Sequence, residues 1–328
     1  MPTTVLSLSC WVPRPGESVP TVGMQHSGEL RRRAISRSAA RPSRPARASL
    51  PEHPAGLAEP VRIGRTNDVK ANTAAVWGSA PWECVAETMA DIHDRLVTAL
   101  GPRPGERWLD VGTGAGAVAL RAARAGAEVT GQDLAPALIK TARRRAAEQN
   151  LTIRFDVGDA EQLPYPDASF GVVASAHGVV FATDHGAAAR ELARVCRPGG
   201  RLGITAWRTG GAGDAFARLL ARFQPPAPPG PAPSDWGRAE HATGLLGDAF
   251  ELEFVPEVWI QTGESGEAIW ELLTACSPPF KHLAESLEAD SRAELHAAWV
   301  TYYEGYRREG EIRAPNEYML ILGTRRAA

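Results

Sequence analysis

A glycine-rich loop is the feature of this sequence that most constrains its fold. The run Leu109-Asp110-Val111-Gly112-Thr113-Gly114-Ala115-Gly116 joins a short apolar stretch to a helical pattern. Glycines at such a junction permit positive φ angles and let the backbone approach a ligand closely. Gly112, Gly114 and Ala117 also match the dinucleotide-binding pattern G-x-G-x-x-[GA]. By itself the loop therefore fits several nucleoside-containing ligands, and also a tight turn without a ligand.

Strand and helix patterns alternate on both sides of this loop. Strands separated by crossover helices form a parallel sheet with helices on both faces. We therefore predict an α/β fold with a doubly wound, seven-stranded, mostly parallel sheet and a helical lid inserted near the C-terminus. The predicted strands are Arg107–Val111, Glu128–Gln132, Ile153–Val157, Phe170–Ser175, Arg201–Trp207, Phe250–Gln261 and Tyr318–Thr324. The predicted helical segments are Asn72–Leu100, Ala115–Ala125, Pro136–Gln149, His185–Val195, Asp214–Phe223, Glu267–Ala275 and Ser291–Tyr306.

Charge and composition argue against several classes of protein. The formal net charge is -2, whereas a general nucleic-acid binder needs a basic face to neutralise phosphates. No stretch approaches the roughly 18 apolar residues that a membrane-spanning helix requires. The four Cys residues are scattered, without the close pairs of a zinc or redox site, which fits a reducing cytosol. We expect a soluble cytoplasmic monomer or homodimer without a metal ion, nucleic-acid partner or membrane partner.

An acidic residue next to the loop narrows the choice of ligand. Asp110 stands two residues before Gly112, where a dinucleotide-binding fold normally has an apolar core residue, because a buried unpaired carboxylate is costly. A carboxylate is reasonable there if the ligand brings a cation. S-adenosylmethionine carries a sulfonium and an ammonium group, and the ammonium is the better candidate partner. The alternative is an acid that only accepts hydrogen bonds from nearby backbone N–H groups.

Two further acids follow the next predicted strands. Asp133 ends the second strand, where its two oxygens can accept hydrogen bonds from both hydroxyls of a ribose, in a methyl donor or a nicotinamide cofactor alike. The run Gly158-Asp159-Ala160-Glu161-Gln162-Leu163-Pro164 follows the third strand. In this run Asp159 can accept from an adenine amino group, and the backbone N–H of Ala160 can donate to the adenine ring. The alternative for Asp159 is a simple loop cap.

The order and spacing of these stretches resemble the class I S-adenosylmethionine-dependent methyltransferases, which are Rossmann-like, and particularly their type 11 or UbiE-like small-molecule group. The resemblance is carried by Asp110–Gly116, Asp133, residues 158–164, the turn Arg197-Pro198-Gly199-Gly200-Arg201, the run 175–181 with Asp184, and the lead-in Trp77-Gly78-Ser79-Ala80-Pro81-Trp82. It is good over about residues 70–207 and loose elsewhere. Thr113 stands where many members have Cys, and residues 208–328 carry no acceptor signature.

The resemblance implies a function and a set of site residues. It implies S-adenosylmethionine as the methyl donor, S-adenosylhomocysteine as the product, and in-line SN2 transfer to oxygen, nitrogen or carbon of a small molecule. The Ala-, Arg-, Gly- and Pro-rich composition suggests a high-GC genome, in which such enzymes often modify secondary metabolites, so a secondary metabolite is the expected acceptor. The implied cofactor-binding residues are Asp110, Gly112, Thr113, Gly114, Gly116, Asp133, Leu134, Asp159, Ala160, Glu161 and Ala176.

The chain is also predicted to divide into three parts. Residues 1–65 contain ten Arg and nine Pro and no sustained apolar periodicity, so they cannot bury enough surface to offset the entropy of ordering, and we predict a disordered tail. Residues 66–207 are predicted to form the cofactor-binding α/β core, preceded by an N-terminal helix. Residues 208–328 are predicted to supply the acceptor lid helices and the last two strands of the sheet.

His177 is the candidate general base. It follows the fourth predicted strand, at the edge of the sheet where ligands bind in open α/β folds, and imidazole titrates near neutral pH. The alternative is a histidine that shapes the pocket or bonds to the backbone. Aromatic side chains outside the glycine loop suit an apolar or aromatic acceptor, although core packing explains some of them equally well; they are Trp77, Trp82, Trp236, Trp259, Trp270, Trp299, Tyr302 and Tyr303.

Two other functions compete with methyl transfer. The first keeps the fold and the cofactor but not the transfer, as in a cyclase-type enzyme or a binding subunit. The second, a nicotinamide oxidoreductase, is less consistent with the sequence because it would lose the cation-facing role of Asp110 and the adenine-facing role of Asp159.

Overall fold

The computed structural model describes residues 66–226 and 230–327, and the tail predicted over residues 1–65 lies outside them. Within the described residues the chain builds one sheet of eight strands. They are β1 (Arg107–Val111), β2 (Glu128–Asp133), β3 (Arg154–Val157), β4 (Phe170–Ala176), β5 (Cys196–Trp207), β6 (Phe250–Gly263), β7 (Arg307–Arg308) and β8 (Glu311–Arg325). Each of the seven predicted strands corresponds to one of these, and the two-residue β7 is the additional strand.

The pairing of the strands confirms the doubly wound, mostly parallel sheet. Seven strands follow each other in space in the order β3-β2-β1-β4-β5-β8-β6, and β7 pairs only with β8. Neighbours from β3 through β5 are parallel, whereas β8 is antiparallel to both β5 and β6. Because β2 lies on one side of β1 and β4 on the other, the order of the strands reverses at β1, which is where open α/β folds bind ligands.

Helices cover both faces of this sheet. They are α1 (Thr66–Trp77), α2 (Glu83–Thr88), α3 (Ala90–Leu100), α4 (Ala117–Arg124), α5 (Pro136–Glu148), α6 (His185–Val195), α7 (Gly211–Ala221), α8 (Ala239–Leu246), α9 (Gly266–Cys276), α10 (Pro278–Ser286) and α11 (Ala289–Glu304). The sequence does not predict α8 or α10. α8 contains Gly244, and glycine is a weak helix former. α10 begins with Pro278, which is favoured in the first turn of a helix but in a sequence usually indicates the end of one.

The continuous helical segment predicted over Asn72–Leu100 is wrong, because three helices replace it. A turn over Gly78–Trp82 separates α1 from α2, and Pro81 in this turn has no backbone N–H to donate to a preceding helical turn. Met89, with φ -94° and ψ 18°, then separates α2 from α3. The apolar residues keep a helix-like spacing across these breaks because Val85, Met89 and the apolar residues of α3 all pack in one core.

The last strand begins at Glu311, well before its predicted start at Tyr318. Pro315 interrupts the strand pattern of the sequence in this stretch, and it pairs with Ile260 of β6. β5 pairs with β8 only from Tyr318 onward. At Pro315, β8 therefore pairs with β6 and not with β5. A proline without a backbone N–H is tolerated where a strand lacks a neighbour on one side.

Two hydrophobic cores lie on opposite faces of the sheet. In β1, Trp108 packs in the first core and the next residue, Leu109, in the second, as the two-residue period of a strand requires. The first core joins α2, α3, α4 and α5 to α7, α9, α10 and α11, and the second contains α6 and α8. Helices from the two ends of the described chain therefore meet on one face, where α9 contacts α2 and α10 contacts α1.

No helix in the described part of the chain combines the length and the apolar character needed to cross a membrane.

Candidate cofactor and acceptor site

One cleft at the carboxyl ends of β1, β2, β4 and β5 brings together nearly all of the predicted site residues. Its walls come from α1 and α2 on one side and from α7, α9 and α10 on the other. Of the twelve predicted residues only Gly116 does not line it; those that do are Asp110, Gly112, Thr113, Gly114, Asp133, Leu134, Asp159, Ala160, Glu161, Ala176 and His177. Gly116 has φ 84° at the start of α4, and a Cβ there would lie 3.3 Å from the Cβ of Ala142, so this glycine allows α4 and α5 to pack closely.

The glycine loop has the backbone conformation that its sequence predicts. Gly112 and Gly114 have φ angles of 65° and 54°, in the left-handed region that glycine adopts without strain. A Cβ on Gly112 would lie 2.7 Å from the Cα of Gly178, so the loop after β1 touches the backbone that follows β4. The two segments form a continuous floor under the cleft.

Asp110 lies in this floor and is buried, with 1 % of its surface exposed. Its Oδ2 accepts a hydrogen bond from the hydroxyl of Thr113 at 2.6 Å and another from the backbone N–H of Ala119 at 3.0 Å. Burial raises the pKa of Asp110 to about 7, against these two hydrogen bonds, which lower it. Oδ2 therefore has a backbone N–H partner, as expected if Asp110 only accepts hydrogen bonds from the protein. The residue nevertheless also lines the cleft. Its role toward a ligand cation stays a prediction.

Asp133 ends β2 and presents its carboxylate to the cleft. Its Oδ2 accepts from the backbone N–H of Gly114 and its Oδ1 from that of Ala135, both at 2.8 Å. Burial raises the pKa of this carboxyl, and the backbone hydrogen bonds oppose the shift. Each oxygen of a carboxylate has a second acceptor position. The backbone bonds thus fix the side chain and leave it with acceptor capacity for a ligand in the cleft that it lines.

The third acid forms an ion pair that the sequence does not predict. Lys70 of α1 places its Nζ 2.6 Å from Oδ2 of Asp159 and 2.5 Å from Oε2 of Glu161. Burial works against its charge, but the hydrogen bonds to the two acids outweigh burial, so the pKa of Lys70 is raised. No pattern near Lys70 signals this role, because the contact exists only once α1 packs over the loop after β3.

Glu161 is largely occupied by the protein itself. Its Oε1 accepts from the backbone N–H groups of Thr183 and Asp184, at 2.7 and 3.0 Å, and its Oε2 accepts from Lys70. This carboxylate joins α1, the loop after β3 and the start of α6. Its predicted contact with the cofactor stays a prediction, and its observed contacts are those of a residue that positions neighbouring loops.

His177 has an unusual backbone and an incompletely bonded ring. Its φ is 52°, its Nδ1 lies 2.9 Å from the hydroxyl of Thr205, and its ring stacks on Trp207 with 4.2 Å between centroids. Its Nε2 is buried without a partner among the described residues. Burial, and secondarily the repulsion that protonated His177 would have with a protonated His93, lower the pKa of His177 to about 3. The imidazole is therefore neutral at physiological pH and a weak base, but it can still form a hydrogen bond through Nε2.

Beyond His177 the cleft becomes aromatic. The side chains there come from β5, α7, β6, α9, α10, α11 and β8, and they include Trp207, Phe216, Trp259, Leu273, Phe280 and Tyr303, with Gln261 and Asn316 as polar members. Of the eight aromatic residues suggested by the sequence, Trp77, Trp82, Trp259 and Tyr303 line the cleft. The other four, Trp236, Trp270, Trp299 and Tyr302, belong to the two cores. The sequence misses His93, Gln261 and Asn316, which lie far apart in the chain and in unremarkable surroundings.

Comparisons with known proteins agree with this geometry. A family model described as a methyltransferase domain matches residues 109–204. An uncharacterized protein of Mycobacterium tuberculosis is 43% identical over 194 residues, which cover 58% of this chain and 69% of that protein. The chain belongs to the S-adenosylmethionine-dependent methyltransferases.

Two further relatives of this methyltransferase have named activities. A demethylmenaquinone methyltransferase of Deinococcus radiodurans is 36% identical over 150 residues, covering 45% of this chain and 49% of that protein. A 27-O-demethylrifamycin SV methyltransferase of Amycolatopsis mediterranei is 36% identical over 157 residues, covering 44% and 58%. The crystal structure of a putative methyltransferase of Bacillus halodurans superposes with a TM-score of 0.51 and 21% identity, over 72% of this chain and 99% of that one, and it supports the fold.

The residues of this methyltransferase fit its cofactor. The glycine loop exposes backbone to the cleft, and Asp133 keeps acceptor positions beside it, as a ribose requires. Asp110 is a buried carboxyl that lines the cleft, and within the described chain its hydrogen bonds come from the uncharged Thr113 hydroxyl and Ala119 N–H. Among residues 66–226 and 230–327, no group of three His, Cys, Asp or Glu side chains could hold a metal ion.

Proposed function

We propose that this methyltransferase transfers the methyl group of S-adenosylmethionine to an apolar or aromatic small molecule, with a secondary metabolite as the expected acceptor. The observation that carries the proposal is the composition of the cleft described above. Its half beside β1, β2 and β3 contains the glycine loop and all the acids, and its other half is aromatic. A charged, polar cofactor and an apolar acceptor thus each have a matching surface within one enclosure.

The two parts of the described chain have separate roles in this proposal. Residues 66–207 bind the cofactor, and residues 208–328 cover the acceptor and complete the sheet. The names of the Deinococcus and Amycolatopsis relatives support a small-molecule acceptor, because both describe methylation of small molecules. Both relatives are matched over less than two thirds of their length, so the identity of the acceptor does not transfer from them.

Asp110, Asp133 and Asp159 are each assigned a different part of the cofactor. Asp133 accepts from the ribose hydroxyls, Asp159 and the backbone of Ala160 bind the adenine, and Asp110 faces the ammonium group. Gly112, Thr113, Gly114, Leu134 and Ala176 enclose the ligand between them. When bound, S-adenosylmethionine supplies an electrophilic methyl group on a good leaving group. The protein mainly has to orient the acceptor against it, which can contribute about 7–11 kcal/mol.

His177 is proposed to hold the acceptor at the reacting end. Its Nε2 is free for a hydrogen bond with an acceptor hydroxyl or amine, and Thr205 and Trp207 fix the plane of the ring. With a pKa near 3, the imidazole assists by accepting or donating this hydrogen bond more than by storing a proton.

The test of this function combines binding with turnover. Calorimetry should show that the purified chain binds S-adenosylhomocysteine, and labelled methyl donor should be converted in the presence of hydroxylated aromatic candidates. Asp133→Asn should weaken the binding of S-adenosylhomocysteine by about ten- to a hundredfold, since a hydrogen bond to a charged group contributes about 1.5–3 kcal/mol. Asp167→Asn, at an exposed residue paired with Arg194, is the matched control.

The outcomes separate the competing functions. A chain that retains S-adenosylhomocysteine but forms no methylated product with any candidate would support the binding-subunit or cyclase-type alternative. A chain that binds NADH and not S-adenosylhomocysteine would be an oxidoreductase, against the family assignment.

A further inference from the structure

The charged side chains of the cleft are confined to one half. Among the described lining residues only Lys70, Asp110, Asp133, Asp159 and Glu161 carry formal charge, and all of them lie on α1 or at the ends of β1, β2 and β3. The lining contributed by β5, α7, β6, α9, α10, α11 and β8 contains none. We call this second half the neutral chamber; it is lined by Trp207, Phe216, Trp259, Gln261, Leu273, Ser277, Pro279, Phe280, Tyr303 and Asn316.

Two amides provide polar groups in the neutral chamber. Gln261 of β6 and Asn316 of β8 are 5 % and 6 % exposed, and Asn316 pairs in register with Trp259, two residues from Gln261 on the same face of β6. The amide oxygen of Gln261 accepts from the hydroxyl of Tyr303 at 3.1 Å, so its NH₂ group is the donor available to a ligand. The amide nitrogen of Asn316 donates to the carbonyl of Ala314 at 3.2 Å, so its oxygen is the available acceptor.

Two buried histidines provide further polar atoms in the cleft. Nε2 of His177 and Nδ1 of His93 are both buried without a partner in the described chain, and both residues line the cleft. Leaving a buried polar atom without a hydrogen bond costs about 1–3 kcal/mol, so a ligand that bonds to these atoms recovers a penalty that the free protein carries. Burial is the main cause that lowers the pKa of each ring to about 3, so neither supplies a positive charge.

The lining of the neutral chamber disfavours a charged acceptor. A carboxylate, phosphate or ammonium group in the neutral chamber would lose its hydration and meet only uncharged amides, hydroxyls, aliphatic groups and aromatic rings, which is costly without a countercharge. An aromatic compound with hydroxyl or carbonyl groups would stack on the rings and satisfy the amides and the histidines.

We propose that the acceptor is an uncharged aromatic compound that bonds at one end to His177 and at the other, through a hydroxyl or carbonyl group, to Gln261 and Asn316. This inference rests on the proposed function, because it assumes that the acceptor occupies this cleft beside the cofactor. It adds the charge class of the acceptor and two residues that determine specificity.

The test uses two probes that differ in charge and little in shape. A hydroxynaphthyl methyl ketone and the corresponding hydroxynaphthoate carry an acetyl group and a carboxylate at the same position. Calorimetry is performed with the full chain saturated with S-adenosylhomocysteine, so that no sulfonium attracts the anion. We expect the ketone to bind at least about tenfold more tightly, because the anion has to be buried without a partner.

A nearly isosteric variant tests whether the ketone binds beside Gln261. Gln261→Glu places a carboxylate in the neutral chamber and should weaken binding of the ketone about tenfold while S-adenosylhomocysteine still binds within about twofold. Gln149→Glu, at the end of α5 and beside Arg124, makes the same chemical change outside the cleft and should leave both affinities unchanged. The retained binding of S-adenosylhomocysteine also shows that the variant is folded.

The outcomes distinguish this inference from the proposed function. If S-adenosylhomocysteine binds but the hydroxynaphthoate binds as tightly as the ketone, or neither probe binds, the inference is overturned and the proposed function still stands. If S-adenosylhomocysteine does not bind to the wild-type chain, the proposed function itself fails. A Gln261→Glu variant that binds the ketone normally would remove Gln261 from the acceptor site.

Discussion

Asp110 shows how one buried carboxyl couples cofactor binding to pH. Burial raises its pKa to about 7 in the free protein, whereas a bound ammonium group would favour the ionised form. Binding therefore releases a proton, and the affinity rises with pH. We expect S-adenosylhomocysteine to bind up to about eightfold more tightly at about pH 7.5 than at about pH 6. Calorimetry in buffers of different ionisation enthalpy measures both the affinity and the proton release.

Asp110→Asn should remove this dependence, since an amide does not titrate, and Asp167→Asn should keep it. An affinity that is equally pH-dependent in Asp110→Asn would show that another group takes up the proton, and Asp110 would then be a structural residue bonded to Thr113 and Ala119.

His177 allows a test of catalysis that leaves the backbone intact. Its φ of 52° is strained for alanine but accessible to asparagine, so His177→Asn is the appropriate variant. We expect lower turnover on the true acceptor and an affinity for S-adenosylhomocysteine within about twofold of wild type, because the contacts of the ring lie on the acceptor side. With a pKa near 3 the ring does not titrate between about pH 5 and 8, so the shape of the rate profile there should be the same in both proteins. An inflection that the variant loses would contradict the lowered pKa.

Gly178 tests the close approach of the two loops under the cleft. A Cβ at this position would lie 2.6 Å from the carbonyl oxygen of Gly112, and all of its nearest neighbours are backbone atoms that cannot rotate away. Gly178→Ala should lower the free energy of unfolding by about 1–3 kcal/mol through overpacking. Urea denaturation followed by circular dichroism measures this change.

Gly244→Ala is the matched control, because it lies within α8 and a Cβ there meets nothing within 4 Å. It should raise the free energy of unfolding by about 0.5–1 kcal/mol, the usual difference between alanine and glycine in a helix. Equal effects of the two substitutions would mean that the loop after β4 can move away from Gly112.

At the scale of elements, α1 is attached to the cofactor half of the cleft through Lys70. Its ammonium bonds to Asp159 and Glu161, whose side chains are 30% and 10% exposed, so the pair is partly shielded from water. Lys70→Met removes these contacts while keeping most of the side chain. We expect S-adenosylhomocysteine to bind at least about threefold more weakly, because a partly buried ion pair contributes more than an exposed one. We also expect hydrogen exchange in α1 to become faster.

Lys140→Met, at an exposed position of α5, is the control for loss of one positive charge. Tighter binding of S-adenosylhomocysteine by Lys70→Met would reverse the interpretation, because Lys70 would then compete with the ligand for the oxygens of Asp159.

At the scale of the whole molecule, the helices after β5 are not a separate unit. Trp299 of α11 and Trp108 of β1 are both fully buried in the same core, which also contains α2 and α3. We therefore expect the described part of the chain to unfold in one cooperative transition, with coincident curves from far-UV circular dichroism and tryptophan fluorescence.

S-adenosylhomocysteine at a hundred times its dissociation constant should raise the free energy of unfolding by about 2.7 kcal/mol. The transition should remain single. Two transitions, of which the ligand stabilises only one, would show that residues 208–328 form an independent lid and not a part of a shared core.

Much of the fold is predictable from the sequence because its signals are local. Alternating strand and helix patterns predict seven strands of the sheet, and the sequence places α6 at its observed ends, His185 and Val195. The division of Asn72–Leu100 into three helices is not predictable from its apolar period, since that period reports which face is buried and not where the backbone turns. The early start of β8 is hidden by Pro315, whose tolerance depends on which strands are its neighbours.

The sequence by itself determined the cofactor half of the site. Its acids and glycines lie at or just after the carboxyl ends of strands, and parallel strands bring these ends to one edge, so order along the chain already implies proximity. Only the tertiary structure decided the rest: the ion pair of Lys70, the lowered pKa of His177, and the meeting of Gln261, Tyr303 and Asn316. These depend on burial and on contacts between distant elements, which the identity of neighbouring residues in the chain does not encode.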